Sequence, residues 1–305
     1  MSTAGFYRRQ VLRAGAGFAL AAIAGRSWQL ADENPGKIPI GYWPSASGLP
    51  FFWALQQEEF ARLGVTVVPV PFRSTQAAAA ALVHGRVMGL ANTPAAATLA
   101  LLTLGYPDLF RIVAVLPRRP DMVLDGLVAT TQTPTRLGVA PERFPWQVGQ
   151  RLFPKARWVP LAIADALPAL QRGQIDGFYS LDPLATGDFQ PETALGRTLL
   201  SGEWVGGMAL LRRDFCDRYP SAAQRVVTGF QEGIAAVQQE GLRTLTALRG
   251  YAQSAPDLRL TVWLSRWQGP DPWPAIAPWQ ANGERLHRLG ILPHVPDLHR
   301  LLYRG

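Results

Sequence analysis

Hydrophobic positions recur along this chain in two alternating rhythms. Lys37 to Tyr42, Val65 to Phe72 and Phe110 to Leu116 are short apolar or β-branched runs, the pattern of buried strands. Between them, Leu49 to Leu63 shows helical spacing, and Ser74-Thr75 caps an alanine-rich helix over 77–83. A further helix is expected from Pro94 to near Gly105. Asp125-Gly126-Leu127-Val128-Ala129 reads as a strand returning toward a crossover, with Thr130 to Thr135 as connector. A second series opens with Leu137-Gly138-Val139-Ala140 and includes Trp158-Val159-Pro160-Leu161. Thr198-Leu199-Leu200 and the bend at Glu203-Trp204-Val205-Gly206-Gly207 carry the chain back. Met208 to Arg212 is a further strand, and Ser221 to Arg249 a long amphipathic helical region. The tail, rich in Trp and Pro, predicts short helices that brace the first series. This alternation points to an α/β fold of parallel βαβ units rather than a bundle or sandwich.

One phrase occurs twice. Ala81-Leu82-Val83-His84-Gly85-Arg86-Val87-Met88-Gly89-Leu90 runs on to Thr93-Pro94, and Ala169-Leu170-Gln171-Arg172-Gly173-Gln174-Ile175-Asp176-Gly177-Phe178 runs on to Asp182-Pro183. Each copy reads as a helix closed by a glycine that tolerates positive φ, then a short apolar strand. A new helix follows, with a Thr or Asp N-cap and proline at its first position. Two such units predict two similar lobes. Ligands of open α/β sheets sit beyond the carboxyl ends of the strands, near helix N-termini. The pattern therefore predicts a binder with a cleft between lobes.

The amino terminus changes the picture. Tyr7-Arg8-Arg9-Gln10-Val11-Leu12-Arg13 precedes an uncharged apolar run, Ala14 to Ala24. That run is shorter than the roughly 20 residues a membrane span needs. Its parts match an export leader over residues 1–24, with Ala22-Ile23-Ala24 as the cleavage site. The paired arginines resemble the twin-arginine signal, so a periplasmic location and a twin-arginine export machinery as partner are expected. Loss of the leader lowers the formal charge from +8 to +5, and the remaining cations are scattered rather than gathered in a nucleic-acid-binding block. A single cysteine, Cys216, excludes an intrachain disulfide and reads as a packed side chain. The histidines show no metal spacing, and no metal or cofactor is expected.

Four segments then carry a resemblance. They are Ile40-Gly41-Tyr42-Trp43-Pro44 to Leu49-Pro50-Phe51-Phe52-Trp53-Ala54; Phe72-Arg73-Ser74-Thr75 to Gly85-Arg86-Val87; Gln171-Arg172-Gly173-Gln174-Ile175-Asp176-Gly177 to Asp182-Pro183; and Met208-Ala209-Leu210-Leu211-Arg212-Arg213-Asp214-Phe215 with Tyr219-Pro220. In order and spacing they resemble the solute-binding proteins of bacterial ABC importers, in the nitrate/sulfonate/taurine class that includes thiamine-pyrimidine binders. The resemblance implies a two-lobed periplasmic-binding fold of the second type, each lobe a mainly parallel sheet flanked by helices, with two hinge crossings. It implies lobe 1 over 37–130 plus 206–305 and lobe 2 over 131–205. It also implies a monomer that binds one small solute and passes it to a permease in the inner membrane. Three departures stand out: Met88 where an acid is usual at the place of Asp176, Leu181 for an aromatic, and Gln56-Gln57-Glu58-Glu59-Phe60 without the usual glycine before Phe.

Carried over by position, the ligand residues are Tyr42, Trp43 and Ser45 in the first turn, and the caps Ser74 and Thr93. In the second lobe they are the loop near Glu142 and Trp146, Tyr179, Asp182 and the bend at Trp204. The residue types suit the task. Tyr42 and Trp43 end a strand beside a proline turn, and an aromatic there offers apolar area with a polar tip. Ser45, Ser74 and Thr93 offer hydroxyls beside helix N–H groups, where anions or carbonyls bind, although a plain capping role accounts for them as well. Asp182 reads as a helix cap. Trp146 and Trp204 read as loop residues, and Trp53, at helical spacing, as core. No catalytic constellation is present: there is no G-x-S-x-G and no P-loop, so an enzyme is not expected. A ligand sensor for a signalling partner stays open, as does, more remotely, an enzyme resembling a thiamine-pyrimidine synthase.

Overall fold

The computed structural model describes residues 35–72, 75–93, 98, 101–102, 106, 108–117, 126–129, 134–139, 143–180, 197–198, 205–252, 262, 264–269 and 272–305. Ten strands form two five-stranded sheets. The first holds β1 (Lys37–Tyr42), β2 (Thr66–Pro71), β3 (Gly89–Thr93), β4 (Phe110–Pro117) and β10 (Val205–Arg212), in the order β2-β1-β3-β10-β4. The second holds β5 (Gly126–Ala129), β6 (Arg136–Val139), β7 (Arg157–Pro160), β8 (Gly177–Ser180) and β9 (Arg197–Thr198), in the order β7-β6-β8-β5-β9.

The two sheets share one plan. β1 lies parallel between β2 and β3, as β6 lies parallel between β7 and β8. Next comes an antiparallel strand, β10 in one sheet and β5 in the other. The repeated phrase builds the matching corners. α3 (Thr75–Val83) and α5 (Ile163–Gln171) each close on a left-handed glycine, Gly85 at φ 67° and Gly173 at φ 65°. After each turn, one amide enters the sheet at the same place. Met88 N–H donates to the Pro39 carbonyl at 2.7 Å, and Asp176 N–H donates to the Arg136 carbonyl at 2.8 Å. Register then places Gly89 against Ile40 and Gly177 against Leu137.

Helices cover both faces of the first sheet. Against one face pack α1 (Leu49–Gln56) and α7 (Pro220–Glu240), burying Ile38, Ile40, Phe51, Phe52, Phe230 and Ile234. Trp53 packs against the same cluster. The other face is covered by α3 and α8 (Trp273–Arg288), around Leu82, Leu90, Phe110 and Ile276. That cluster continues into Ala129, Leu137, Val139 and Tyr179 of the second sheet. The tail is tied to the first sheet by bridges from Gln268 to Val115 and from Leu302 to Ile112.

The structure corrects two expectations. Gly126 to Ala129 pairs with β8 and β9 inside the second sheet rather than belonging to the first. The helical region after Ser221 is not continuous: α7 ends at Glu240, Gly241 takes φ 55°, and a 3-10 stretch, Gly241–Gly250, follows. Glycine tolerates that turn, which an L side chain resists. The missing glycine before Phe60 also leaves a mark. Glu58 has φ 58°, a left-handed backbone held by a residue with a Cβ, at the start of α2 (Glu59–Arg62). The leader of residues 1–24 lies outside the described residues. No described helix is long and apolar enough to cross a membrane.

Candidate functional site

β1 and β3 run side by side, and their carboxyl ends support the loop that leads into α1. Strand alternation sends Ile38, Ile40 and Tyr42 to one face of the sheet and Gly41 to the other. Past Tyr42 the chain bends at Trp43-Pro44-Ser45, makes a 3-10 turn over Ala46–Gly48, and enters α1 with proline in its first turn. The bend is closed by Ser45 N–H donating to the Trp43 carbonyl at 2.7 Å.

Asn92 of β3, 1% exposed, holds this loop from below. Its Oδ1 accepts the Trp43 N–H at 2.8 Å, and its Nδ2 donates to the Trp43 carbonyl at 2.9 Å. Nδ2 also reaches Ser47 Oγ at 3.0 Å and Ser45 Oγ at 3.3 Å. The two hydroxyls lie 2.8 Å apart. From the other side, Trp267 Nε1–H donates to the Ser47 carbonyl at 3.1 Å. At Gly48 a side chain would strike the Phe52 ring and come within 3.0 Å of Asn92 Nδ2, so the close approach requires glycine. Sequence reasoning missed Asn92. The available signal was an amide in the otherwise apolar run Gly89-Leu90-Ala91, at a depth where polar atoms need partners.

The two aromatic residues of the loop differ in role. Tyr42 lies edge-on to Phe52 at 5.2 Å and to Tyr251 at 5.7 Å, and Phe52 stacks on Tyr251 at 4.8 Å. Burial, and then the neighbouring Tyr251, push the Tyr42 phenol above its ordinary pKa. Trp43 is half-buried, yet among the described residues it makes no ring–ring contact and packs against neither hydrophobic cluster of its lobe. Among the described residues, a recess beside it is lined by Gly41, Tyr42, Trp43, Phe72, Ala78, Leu90 and Thr93. Its free volume is about 10 Å³, room for one water-sized group. Thr93, expected at the site, is 3% exposed and closes β3 opposite Met208.

In the second lobe Trp146 and Tyr179 both pack against other rings. Trp146 is not on a loop; it sits within α4 (Arg143–Leu152), with its ring 6.3 Å from Trp158. Tyr179 is fully buried, 6.4 Å from Phe153 and 6.5 Å from Trp158, and presents no surface to a solute. These rings seat α4 on the sheet, and Gly149 lets Trp158 approach closely, since a Cβ there would fall 2.5 Å from the indole. Ser74, Glu142, Asp182 and Trp204 lie outside the described residues.

Asp176 clasps its own lobe. Its carboxylate accepts from Arg136 Nη2 at 2.6 Å and Nε at 3.1 Å, from the Arg136 and Thr135 amides at 2.9 Å and 3.1 Å, and from Thr135 Oγ1 at 2.8 Å. The Arg136 guanidinium, with those further donors, holds the carboxyl far below the usual range. Met88, at the matching corner, offers no carboxylate; there the Met88 carbonyl accepts the Arg212 N–H at 2.8 Å, and the Arg212 guanidinium donates to the Leu82 and Val83 carbonyls. A cavity of about 460 Å³ opens at the other end of the first sheet, where Arg111, near the start of β4, lies beside Cys216, His299 and Tyr303. Burial pushes the Cys216 thiol up to about 12. Among the described residues no group of His, Cys, Asp and Glu could hold a metal ion.

The comparisons can now be set beside this geometry. No protein-family model matches the sequence, and a comparison with curated proteins finds no match. Solved structures do match. The alkanesulfonate-binding protein of Xanthomonas axonopodis pv. citri, bound to MOPS, is similar with a TM-score of 0.62 at 16% identity, over 89% of this chain and 99% of that one. This chain has the periplasmic-binding-protein fold. The periplasmic aliphatic sulphonate binding protein of Escherichia coli superposes with a TM-score of 0.61 at 17% identity, over 88% of this chain and 98% of that one. The periplasmic nitrate-binding protein of Synechocystis PCC 6803 gives 0.58 at 13% identity, over 87% of this chain and 84% of its own. In a periplasmic-binding fold, the loop held by Asn92 stands at the carboxyl edge of the sheet, where open α/β sheets take their ligands.

Proposed function

We propose that this chain is the extracytoplasmic solute-binding component of an ABC importer. It captures one small organic solute or anion of the sulfonate, nitrate or pyrimidine kind in a cleft between lobes and delivers it to an inner-membrane permease. No bond is made or broken. The observation that carries this reading is the half-buried Trp43 ring, outside both core clusters of its lobe among the described residues and borne on a clamped loop at the carboxyl ends of β1 and β3. Trp43 covers the planar or apolar part of the solute, while Ser45 and Thr93 meet its polar part. Tyr42 supports the loop from the sheet side, and Ser74, Asp182 and Trp204 complete the cleft. The similar sulfonate- and nitrate-binding proteins support the same range of chemistry. The leader exports the folded chain to the periplasm through the twin-arginine machinery.

The test is a thermal-shift screen of the mature chain against nitrate, bicarbonate, sulfonates, pyrimidines and aromatic carboxylates, read together with tryptophan fluorescence. At a hundred times its Kd, one bound solute adds ~2.7 kcal/mol and raises Tm by about 5–10 °C. No shift across the panel, or consumption of any compound, overturns the proposal.

A further inference from the structure

We propose that Asn92 and Ser47 fix the hydroxyl of Ser45 as a hydrogen-bond donor toward the cleft, so that the bound solute must place an acceptor there. This inference rests on the solute-binding reading and assigns Ser45 as a specificity-determining residue, with Asn92 and Ser47 as positioning residues.

The argument is an accounting of protons. A backbone N–H can only donate, so the Asn92 atom facing Trp43 N–H at 2.8 Å is the amide oxygen. That fixes the amide without ambiguity and turns its NH₂ toward the Trp43 carbonyl and the two serines. The amide has two N–H groups. One is taken by the Trp43 carbonyl at 2.9 Å; the other is shared by Ser47 Oγ at 3.0 Å and Ser45 Oγ at 3.3 Å. Both hydroxyl oxygens therefore accept from Asn92.

Ser47 is 7% exposed, and its hydroxyl proton needs an acceptor. Among the described residues, that acceptor is Ser45 Oγ at 2.8 Å. A proton left unpaired in the interior loses its hydration with nothing in return, which sets the direction of the bond: Ser47 donates to Ser45. Ser45 Oγ then accepts from both neighbours, and its two lone pairs are occupied. What it retains is one uncommitted O–H. Ser45 is half-exposed, whereas Asn92 and Ser47 are buried, so that O–H is the group the network offers outward. A sulfonyl, carboxylate or carbonyl oxygen can accept it; an ammonium or amide N–H meets an oxygen with no lone pair to give.

Two measurements test this. A neutron crystal structure of the deuterium-exchanged, unliganded protein should place the Ser47 deuteron on the line to Ser45 Oγ and the Ser45 deuteron away from Ser47. Reversal of either overturns the proposal, whatever the protein transports. Calorimetric titration then compares benzenesulfonate with benzylammonium, a matched pair on the same ring. Benzenesulfonate binding and benzylammonium exclusion are expected, with Ser45→Ala weakening benzenesulfonate about tenfold. Equal or tighter binding of benzylammonium overturns the donor assignment. Failure of both probes counts against the planar-solute reading, and the neutron map still decides the proton direction. Asn92→Asp should turn the serine protons inward and reverse the preference between the probes. Ser45→Ala, on the half-exposed loop, keeps the test valid if Asn92→Asp does not fold.

Discussion

Replacing Trp43 with alanine separates binding from folding at this site. Its half-buried ring has no aromatic partner and belongs to neither core cluster of its lobe among the described residues, so truncation removes a ring from outside the packed core. Loss of a core tryptophan costs about 3–5 kcal/mol, whereas a side chain outside the core stays within about 0.5 kcal/mol. For a chain of this size the second figure is a Tm change of about 2 °C or less. Binding should respond differently. One face of an indole covers ~80 Å² of a planar solute, which at ~25 cal/mol per Å² contributes ~2 kcal/mol, or about 30-fold in Kd. Differential scanning fluorimetry without ligand and calorimetry with the solute found by screening read the two quantities separately. A fall in the ligand-free Tm of more than about 6 °C would place the ring in the core and refute the reasoning.

Other expectations follow from single features. Asp176 has a depressed folded-state pKa, so its contribution is complete above the unfolded carboxyl value of about 4 and disappears as pH falls below it. Asp176→Asn should flatten the dependence of Tm on pH between roughly 2 and 5, and an unchanged slope would show that the Arg136 clasp contributes nothing. Glu58→Gly relieves a left-handed residue and should stabilise by up to about 1 kcal/mol; a loss of stability in urea melts would contradict the strain. Arg8→Lys combined with Arg9→Lys should abolish export, and normal recovery from the periplasm would remove the twin-arginine reading of the leader.

Local chemistry made some of this molecule readable from sequence and left other parts hidden. The corners at Gly85 and Gly173 were legible because a left-handed turn requires glycine and the strand after it must be apolar. Gly126 to Ala129 was placed in the wrong lobe because four residues encode a strand but not its partner; pairing with Phe178 and Tyr179 is decided in three dimensions. The break at Gly241 was available in the glycine itself and was overridden by the helical periodicity around it. At the site, aromatic residue type did not reveal direction. Trp146 and Tyr179 meet Trp158, Tyr42 meets Phe52 and Tyr251, and Trp43 alone of the four makes no ring contact among the described residues. Asn92 stayed hidden because its value lies in the N–H and C=O of a residue 49 positions earlier.

The bond from the Trp267 indole to the Ser47 carbonyl spans 220 positions, and β10 lies between β3 and β4 inside the first sheet. The first sheet therefore cannot be completed until β10 has left the ribosome, nor its loop clamped until Trp267 has followed. The second sheet, contiguous from Gly126 to Thr198, is free of that delay. Order of synthesis and order of pairing differ here: β3 waits, along one edge, for a strand made after the whole of the second sheet.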